Sequence, residues 1–212
     1  MIFLFFSALT VGFSGAMMPG SLLTYTIQQS LKTGARAGIL ISVGHAVLEL
    51  GLIFLIILGL GAVLQSDIAQ AVIGLAGGAL LIVMGIQMVF GAVRGTVRIQ
   101  AEDGQSNARN YKLALSGALI SAANPYFLLW WAVIGLGFIM KSYAALGLGG
   151  VAVYYFGHIT ADFIWYVSIS ALIAKTRNFI KEKPYRILIG SLGGLLVYFG
   201  VTFIVGAFAY FN

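Results

Sequence analysis

Six stretches of this chain run for more than 20 residues with almost no charge: Ile2–Ser30, Gly38–Leu64, Ala71–Val93, Leu113–Met140, Gly147–Ala174 and Ile187–Phe211. A helix of about 20 apolar residues crosses the hydrocarbon of a bilayer, so each stretch is long enough to span with some tilt. Strands of a membrane barrel would instead alternate polar and apolar residues over about 10 positions. The composition agrees, with 60% hydrophobic and 8% charged residues, against roughly 25% charge in an ordinary soluble domain. Disorder requires the opposite balance. The 28 glycines show no every-third spacing, which excludes a collagen-like chain. The expected fold is an all-α integral membrane protein in which residues 1–212 form one membrane domain. The first stretch has no Lys or Arg before its apolar run and continues past the 7–15 residues of a signal peptide, so it is read as the first span.

The charges left outside the stretches set the orientation. Lys32 and Arg36 follow the first stretch; Arg94, Arg98, Arg109 and Lys112 follow the third; Lys175, Arg177, Lys181, Lys183 and Arg186 follow the fifth. Lys141 alone lies on the other side. Basic loops stay in the cytoplasm, which predicts a multi-pass protein of the cell (cytoplasmic) membrane with both termini outside. Topology thus accounts for the net charge of +6, and no nucleic-acid partner is needed. With no Cys, a disulfide framework, thiolate zinc site, iron–sulfur cluster or dithiol electron carrier is excluded.

The two halves repeat. Gly44-His45-Ala46-Val47-Leu48-Glu49 in the second stretch matches Gly157-His158-Ile159-Thr160-Ala161-Asp162 in the fifth, both reading G-H-x-x-x-[E/D]. Ile73-Gly74-x-x-Gly77-Gly78-x-Leu80 matches Ile189-Gly190-x-x-Gly193-Gly194-x-Leu196. The first stretch is interrupted at Met18-Pro19-Gly20 and the fourth at Asn124-Pro125-Tyr126. Three features recur in one order, so residues 1–93 form one three-helix repeat, 94–112 a cytoplasmic linker and 113–212 the second repeat. Three spans is an odd number, so the second copy enters from the opposite face. That predicts a 3+3 inverted-topology repeat of six transmembrane helices with broken first and fourth helices, an architecture of secondary transporters with midplane sites.

The spans contain only two carboxylates, Glu49 and Asp162, each four residues after one of the chain's two histidines, His45 and His158. Each pair shares a helix face. Ionised groups at this depth are costly and seldom lack a partner or a task. Burial and a neighbouring imidazolium act in opposite senses on a carboxylate's proton, so these four residues suit proton coupling or an ammonium substrate. Pro19 and Pro125 each remove an N–H and free a carbonyl one turn earlier, Gly15 and Ser121. Gly20 and Asn124 beside them favour true unwinding. The half-helices opening at Gly20-Ser21 and at Pro125-Tyr126 then offer positive dipole ends to a substrate carboxylate. Trp130 and Trp131 either flank this site or face lipid, the commoner position for such rings. Gly74-xxx-Gly78 and Gly190-xxx-Gly194 read as close-packing faces, within the chain or in a homo-oligomer.

No phosphate-binding G-x-x-x-x-G-K-[S/T] motif, intramembrane Lys or Arg-rich helix is present. That leaves ATP hydrolysis, a retinal Schiff base and voltage sensing without support. The six spans, the Pro19-Gly20 break, Lys32-x-Gly34-x-x-Ala37-Gly38 before the second span and Asn124-Pro125 in the fourth resemble the lysine-exporter (LysE) family over nearly the whole chain. The resemblance implies a translocator exporting amino acids or related small metabolites, driven by the proton gradient. The chain departs from it at Ser21, where many members carry a second Pro, and the paired G-H-x-x-x-[E/D] is a subgroup feature. The leading expectation is a proton-coupled exporter of a small zwitterion, not an enzyme, with no cofactor. Its partners are a small-molecule substrate, protons and the lipid bilayer. The alternative is a divalent-metal transporter holding its ion with His45, Glu49, His158 and Asp162. A membrane-embedded metalloenzyme on those residues and a purely structural scaffold are further alternatives.

Overall fold

The computed structural model describes residues 1–18, 20–96, 107–176 and 182–211, and among these every regular element is helical. The elements are α1 (Ile2–Ala16), α2 (Ser21–Thr33), α3 (Arg36–Leu55), α4 (Gly61–Leu64), α5 (Asp67–Arg94), α6 (Asn107–Ala122), α7 (Pro125–Trp130), α8 (Leu136–Thr176) and α9 (Glu182–Ala207), which ends in a short 3₁₀ turn. A π-helical turn, Ile56–Leu60, joins α3 to α4, and another, Trp131–Gly135, joins α7 to α8. Four continuous stretches are long and apolar enough to cross a membrane: Arg36–Leu64, Asp67–Arg94, Tyr126–Thr176 and Glu182–Tyr210. The bent pair α1 and α2 makes a fifth where the two are counted as one span. The chain is a multi-pass helical membrane protein. The expected linker 94–112 falls largely on residues outside the described set.

The first apolar stretch is interrupted where the sequence places the break. Helix α1 has 15 residues, about 22 Å at 1.5 Å per residue, against roughly 30 Å of hydrocarbon. It meets α2 at 81°, with Gly20 extended at φ −149° and ψ −172°. Pro19 lies outside the described residues. In the second half, α6 ends at Ala122, and Pro125 takes the first position of α7, where its missing N–H costs nothing.

The 51-residue stretch Tyr126–Thr176 is folded back on itself. Leu146 and Gly147 leave helical geometry, with Gly147 at φ 59° and ψ −146°. The Phe138 and Tyr154 rings stack with centroids 5.9 Å apart, and Trp131 lies 5.3 Å from His158. Residues 131 and 158 on one straight helix would be about 40 Å apart. The chain therefore reverses at Leu146–Gly147, and Gly150 passes close enough to Ser142 to leave no room for a Cβ.

Helix α5 packs along α9, α1 along α8, and α3 along both α6 and α8. Glycines set the closest approaches. A Cβ on Gly78 would stand 2.6 Å from the Gly200 carbonyl oxygen, and one on Gly85 2.5 Å from that of Gly193. The expected close-packing face on α5 is therefore correct, and it acts within the chain. On α9 the contact runs through Gly193 and Gly200, while Gly194 faces open space. Arg186 ties the same helices together, its guanidinium donating to the Ala92 and Val93 carbonyls at the C-terminus of α5 at 2.7 and 2.8 Å.

Two apolar clusters fill the interior. One gathers Leu52, Ile53 and Ile56 of α3 and its π turn with Trp131, Leu136 and Tyr154. The other gathers Leu22, Ile27 and Leu31 of α2 with Ile41, Tyr166 and Ile189. Along α3 and along α8, the polar residues lie between the two. Gly78→Val drives a branched side chain into the α9 backbone, at a cost of about 1–3 kcal/mol. Thermal unfolding in detergent is expected to show a midpoint lower by about 5 °C, while Gly194→Ala leaves it unchanged.

Candidate functional site

His45 and Glu49 stand one turn apart on α3, and His158 and Asp162 one turn apart on α8. The two helices run antiparallel, so each histidine meets the acid of the other helix as well as its own. His45 Nε2 lies 3.2 Å from Glu49 Oε1 and 3.8 Å from Asp162 Oδ1. His158 Nε2 lies 3.1 Å from Glu49 Oε1 and 3.6 Å from Asp162 Oδ2. All four residues are buried, Glu49 to 1% exposure and His45, the most open, to 6%. The fold thus merges two pairs, 113 residues apart in sequence, into one constellation.

Glu49 Oε1 is its centre. Besides both imidazoles, the Trp131 indole N–H donates to it at 3.2 Å. Trp131 is fully buried and Trp130 is 5% exposed, which corrects the lipid-facing reading of these rings. They enclose His158, with centroids 4.8 Å (Trp130) and 5.3 Å (Trp131) from the imidazole. The π turn is what aims Trp131. Its indole folds over Gly135, where a Cβ would clash with the ring, so only glycine fits there. Such turns are rare and recur at functional sites.

Hydrogen bonding assigns the imidazole protons. The Ser121 hydroxyl gives its one proton to the Gly117 carbonyl at 2.7 Å, so its oxygen accepts from His45 Nδ1, also at 2.7 Å. His45 therefore carries a proton on Nδ1 and turns Nε2 toward the carboxylates. A lone pair there would face another on Glu49 Oε1, and that contact is attractive only with positive charge between them, from a proton or a metal ion. His158 differs. Its Nδ1 is buried without a partner among the described residues, which leaves an idle acceptor when unprotonated but a costly orphan donor when protonated. Its proton accordingly sits on Nε2 and is donated to Glu49.

The helix breaks face the same space. A cavity of about 50 Å³ is lined by these four residues together with Gly20, Ser121, Asn124 and Tyr126, among others. A water needs about 10–15 Å³ on this scale, so the cavity holds a few water-sized groups. The two carbonyls expected to be free are not. Gly15 accepts from Met17 and Met18, and Ser121 from Asn124. At α7, the Asn124 side-chain oxygen accepts from the Tyr126 N–H at 3.1 Å, so that helix start is already capped. Ser21 opens α2 with its hydroxyl buried and without a hydrogen-bond partner among the described residues. His45, Glu49, His158, Asp162, Gly20 and Asn124 thus meet at one cavity. Ser21 adjoins it, Pro125 is described by its backbone alone, and Pro19 lies outside the described residues.

The model of the LysE type translocator family matches residues 13–207. The chain belongs to that family. Members of the LysE family are transporters, and this one is a translocator and not an enzyme. It is similar to the "Chemotactic transduction protein ChpE" of Pseudomonas aeruginosa, 25% identical with 93% of this chain and 95% of that protein covered. It is also similar to the "Putative amino acid efflux protein YcgF" of Bacillus subtilis, 26% identical with 94% of each chain covered. No solved structure matches the chain significantly.

Sequence reasoning missed Trp131 and Ser121 as partners of the charged residues in this LysE-type chain. No sequence signal marks either contact, because each depends on which helix lies beside which. Ser121→Ala strands the His45 Nδ1 proton in a buried site, a loss of about 1–3 kcal/mol. Thermal unfolding in detergent should show it, and Ser121→Thr, which keeps the hydroxyl, should recover most of the loss.

Proposed function

We propose that this translocator exports an amino acid or similar small zwitterion from the cytoplasm across the cell membrane, in exchange for protons, by alternating access. The carrying observation is the convergence of both His–acid pairs and both helix breaks on one buried cavity. The similarity to an amino acid efflux protein of Bacillus subtilis supports the substrate class. In this reading the substrate ammonium, or the coupling proton, sits against Glu49 and Asp162, and the carboxylate lies at the start of α2. There the unbonded first-turn N–H groups and the helix dipole favour an anion. Asn124 occupies the equivalent place on α7 with its own side chain, so the two breaks divide the work unequally.

The transport cycle rests on a six-span inverted repeat. Counting the fold-back at Leu146–Gly147 as a membrane turn makes six crossings from the five apolar stretches. Related contacts support the symmetry: Gly44 of α3 packs on the backbone of Ala114 in α6, and Gly157 of α8 packs on that of Phe5 in α1. An apolar cluster lies on each side of the constellation along α3 and α8, and each acts as the barrier toward one aqueous face. In this reading the basic loops face the cytoplasm, which supports an orientation with both termini outside.

Purified protein in liposomes provides the test. An acid lumen is expected to drive accumulation of radiolabelled amino acid, and a protonophore to abolish it. Glu49→Gln and Asp162→Asn each remove a charge-assisted interaction worth about 1.5–3 kcal/mol, so uptake should fall about 10- to 100-fold. Uptake indifferent to the pH gradient defeats proton coupling, and no uptake of any amino acid defeats the substrate class.

A further inference from the structure

We infer that His45, Glu49 and Asp162 form a binding site for one divalent transition-metal ion, with His158 outside the ligand set. This goes beyond the export reading and rests on the geometry of the site alone. Each of the three residues offers a ligand atom, and these atoms all lie within 4.8 Å of one another. The separations of 3.2 and 3.8 Å from His45 Nε2 to the two carboxylates bracket the roughly 3.4 Å between ligands about 2.1 Å from a tetrahedral zinc. A small movement of Asp162 closes the set.

Three further observations point to a cation there. The Ser121 hydroxyl holds the His45 proton on Nδ1, so Nε2 presents its lone pair on the side where the carboxylates lie, to a cation between them. Metal-binding histidines characteristically donate their other ring N–H to such a partner. Glu49 Oε2 and Asp162 Oδ2 are buried and accept no hydrogen bond among the described residues, the nearest imidazole nitrogen to Asp162 Oδ2 being His158 Nε2 at 3.6 Å, so each acid keeps unfilled acceptor capacity. With both acids ionised and the imidazole neutral, the set would carry two negative charges, which a single divalent ion matches. Imidazole with carboxylate suits zinc among the common ions, and the cavity of about 50 Å³ has room for a water as fourth ligand.

His158 differs because its Nε2 proton is directed at Glu49 Oε1. Together with the Trp131 N–H, it orients that carboxylate rather than ligating. The four-residue ligand set expected from the sequence is thereby reduced to three. A bound ion occupies the position of the proton or substrate ammonium, so zinc is expected to inhibit transport competitively.

The test is zinc binding to the full-length protein in detergent after stripping with chelator, by calorimetry and by metal analysis after gel filtration. One zinc per chain is expected. His45→Gln and Asp162→Asn should lose stoichiometric binding, Ser121→Ala should weaken it about 10- to 100-fold, and His158→Gln should retain it. Less than stoichiometric zinc in the wild type, binding unaffected by His45→Gln, or equal loss in His158→Gln would overturn the assignment. The wild type with cobalt(II) in place of zinc guards against misfolded variants. Intense visible bands of a four-coordinate ion are expected, and the weak bands of a six-coordinate one count against the site. Because binding is read without transport, its failure leaves the export reading standing, and failed export leaves the metal site standing.

Discussion

A carboxylate buried at membrane depth is the constraint on which the rest of this structure depends. Glu49 is 1% exposed and receives the Trp131 N–H, the His158 N–H and the Nε2 of His45 on a single oxygen. An ionised group there is unfavourable by several kcal/mol unless compensated. Three different elements supply the compensation: α3, α8 and the π turn before α8. The closest glycine contacts serve that convergence. Gly44 and Gly157 bring α3 and α8 against the first pieces of the broken helices, and Gly12 admits the His158 ring beside α1.

The interruptions are where the protein departs from ideal helix geometry, and each has a local purpose. At Gly20 the chain is extended and α2 begins afresh. At Asn124 the side chain replaces the lost backbone bond. At Trp131–Gly135 the turn widens, and the indole reaches the acid across the ring-sized gap that glycine leaves. In hydrocarbon, irregular backbone persists only where protein or a lined cavity satisfies it. These three interruptions adjoin the same cavity, whereas the π turn at Ile56–Leu60 and the reversal at Leu146–Gly147 lie outside its lining.

Much of this was readable in the chain because it is local. Long uncharged stretches identify membrane helices whatever their neighbours, and i, i+4 spacing puts His45 with Glu49 and His158 with Asp162 on shared faces. A glycine beside proline marks the first break, and the reversal at Gly147 coincides with an expected span boundary. What escaped were relations between helices. The Trp130-Trp131 pair reads equally well as an interfacial anchor. Ser121 looks like any membrane serine until α6 is seen against α3. The carbonyls expected to be free are taken by neighbouring N–H groups, because a helix end tightens to shorter-range bonds before it unwinds.

The chain by itself determined that this is a helical membrane protein, that short motifs recur in its two halves, and which two histidines and two carboxylates lie inside the apolar stretches. Those conclusions need only hydropathy, spacing and the rarity of charge in hydrocarbon. The tertiary structure alone decided that the two pairs are one site, that each acid sits against both histidines, and that Ser121 sets which nitrogen of His45 faces them. These facts follow from the antiparallel packing of α3 against α8 and from a helix reversal. Such packing is governed by side-chain shape between segments more than 70 residues apart in sequence, which no local pattern encodes.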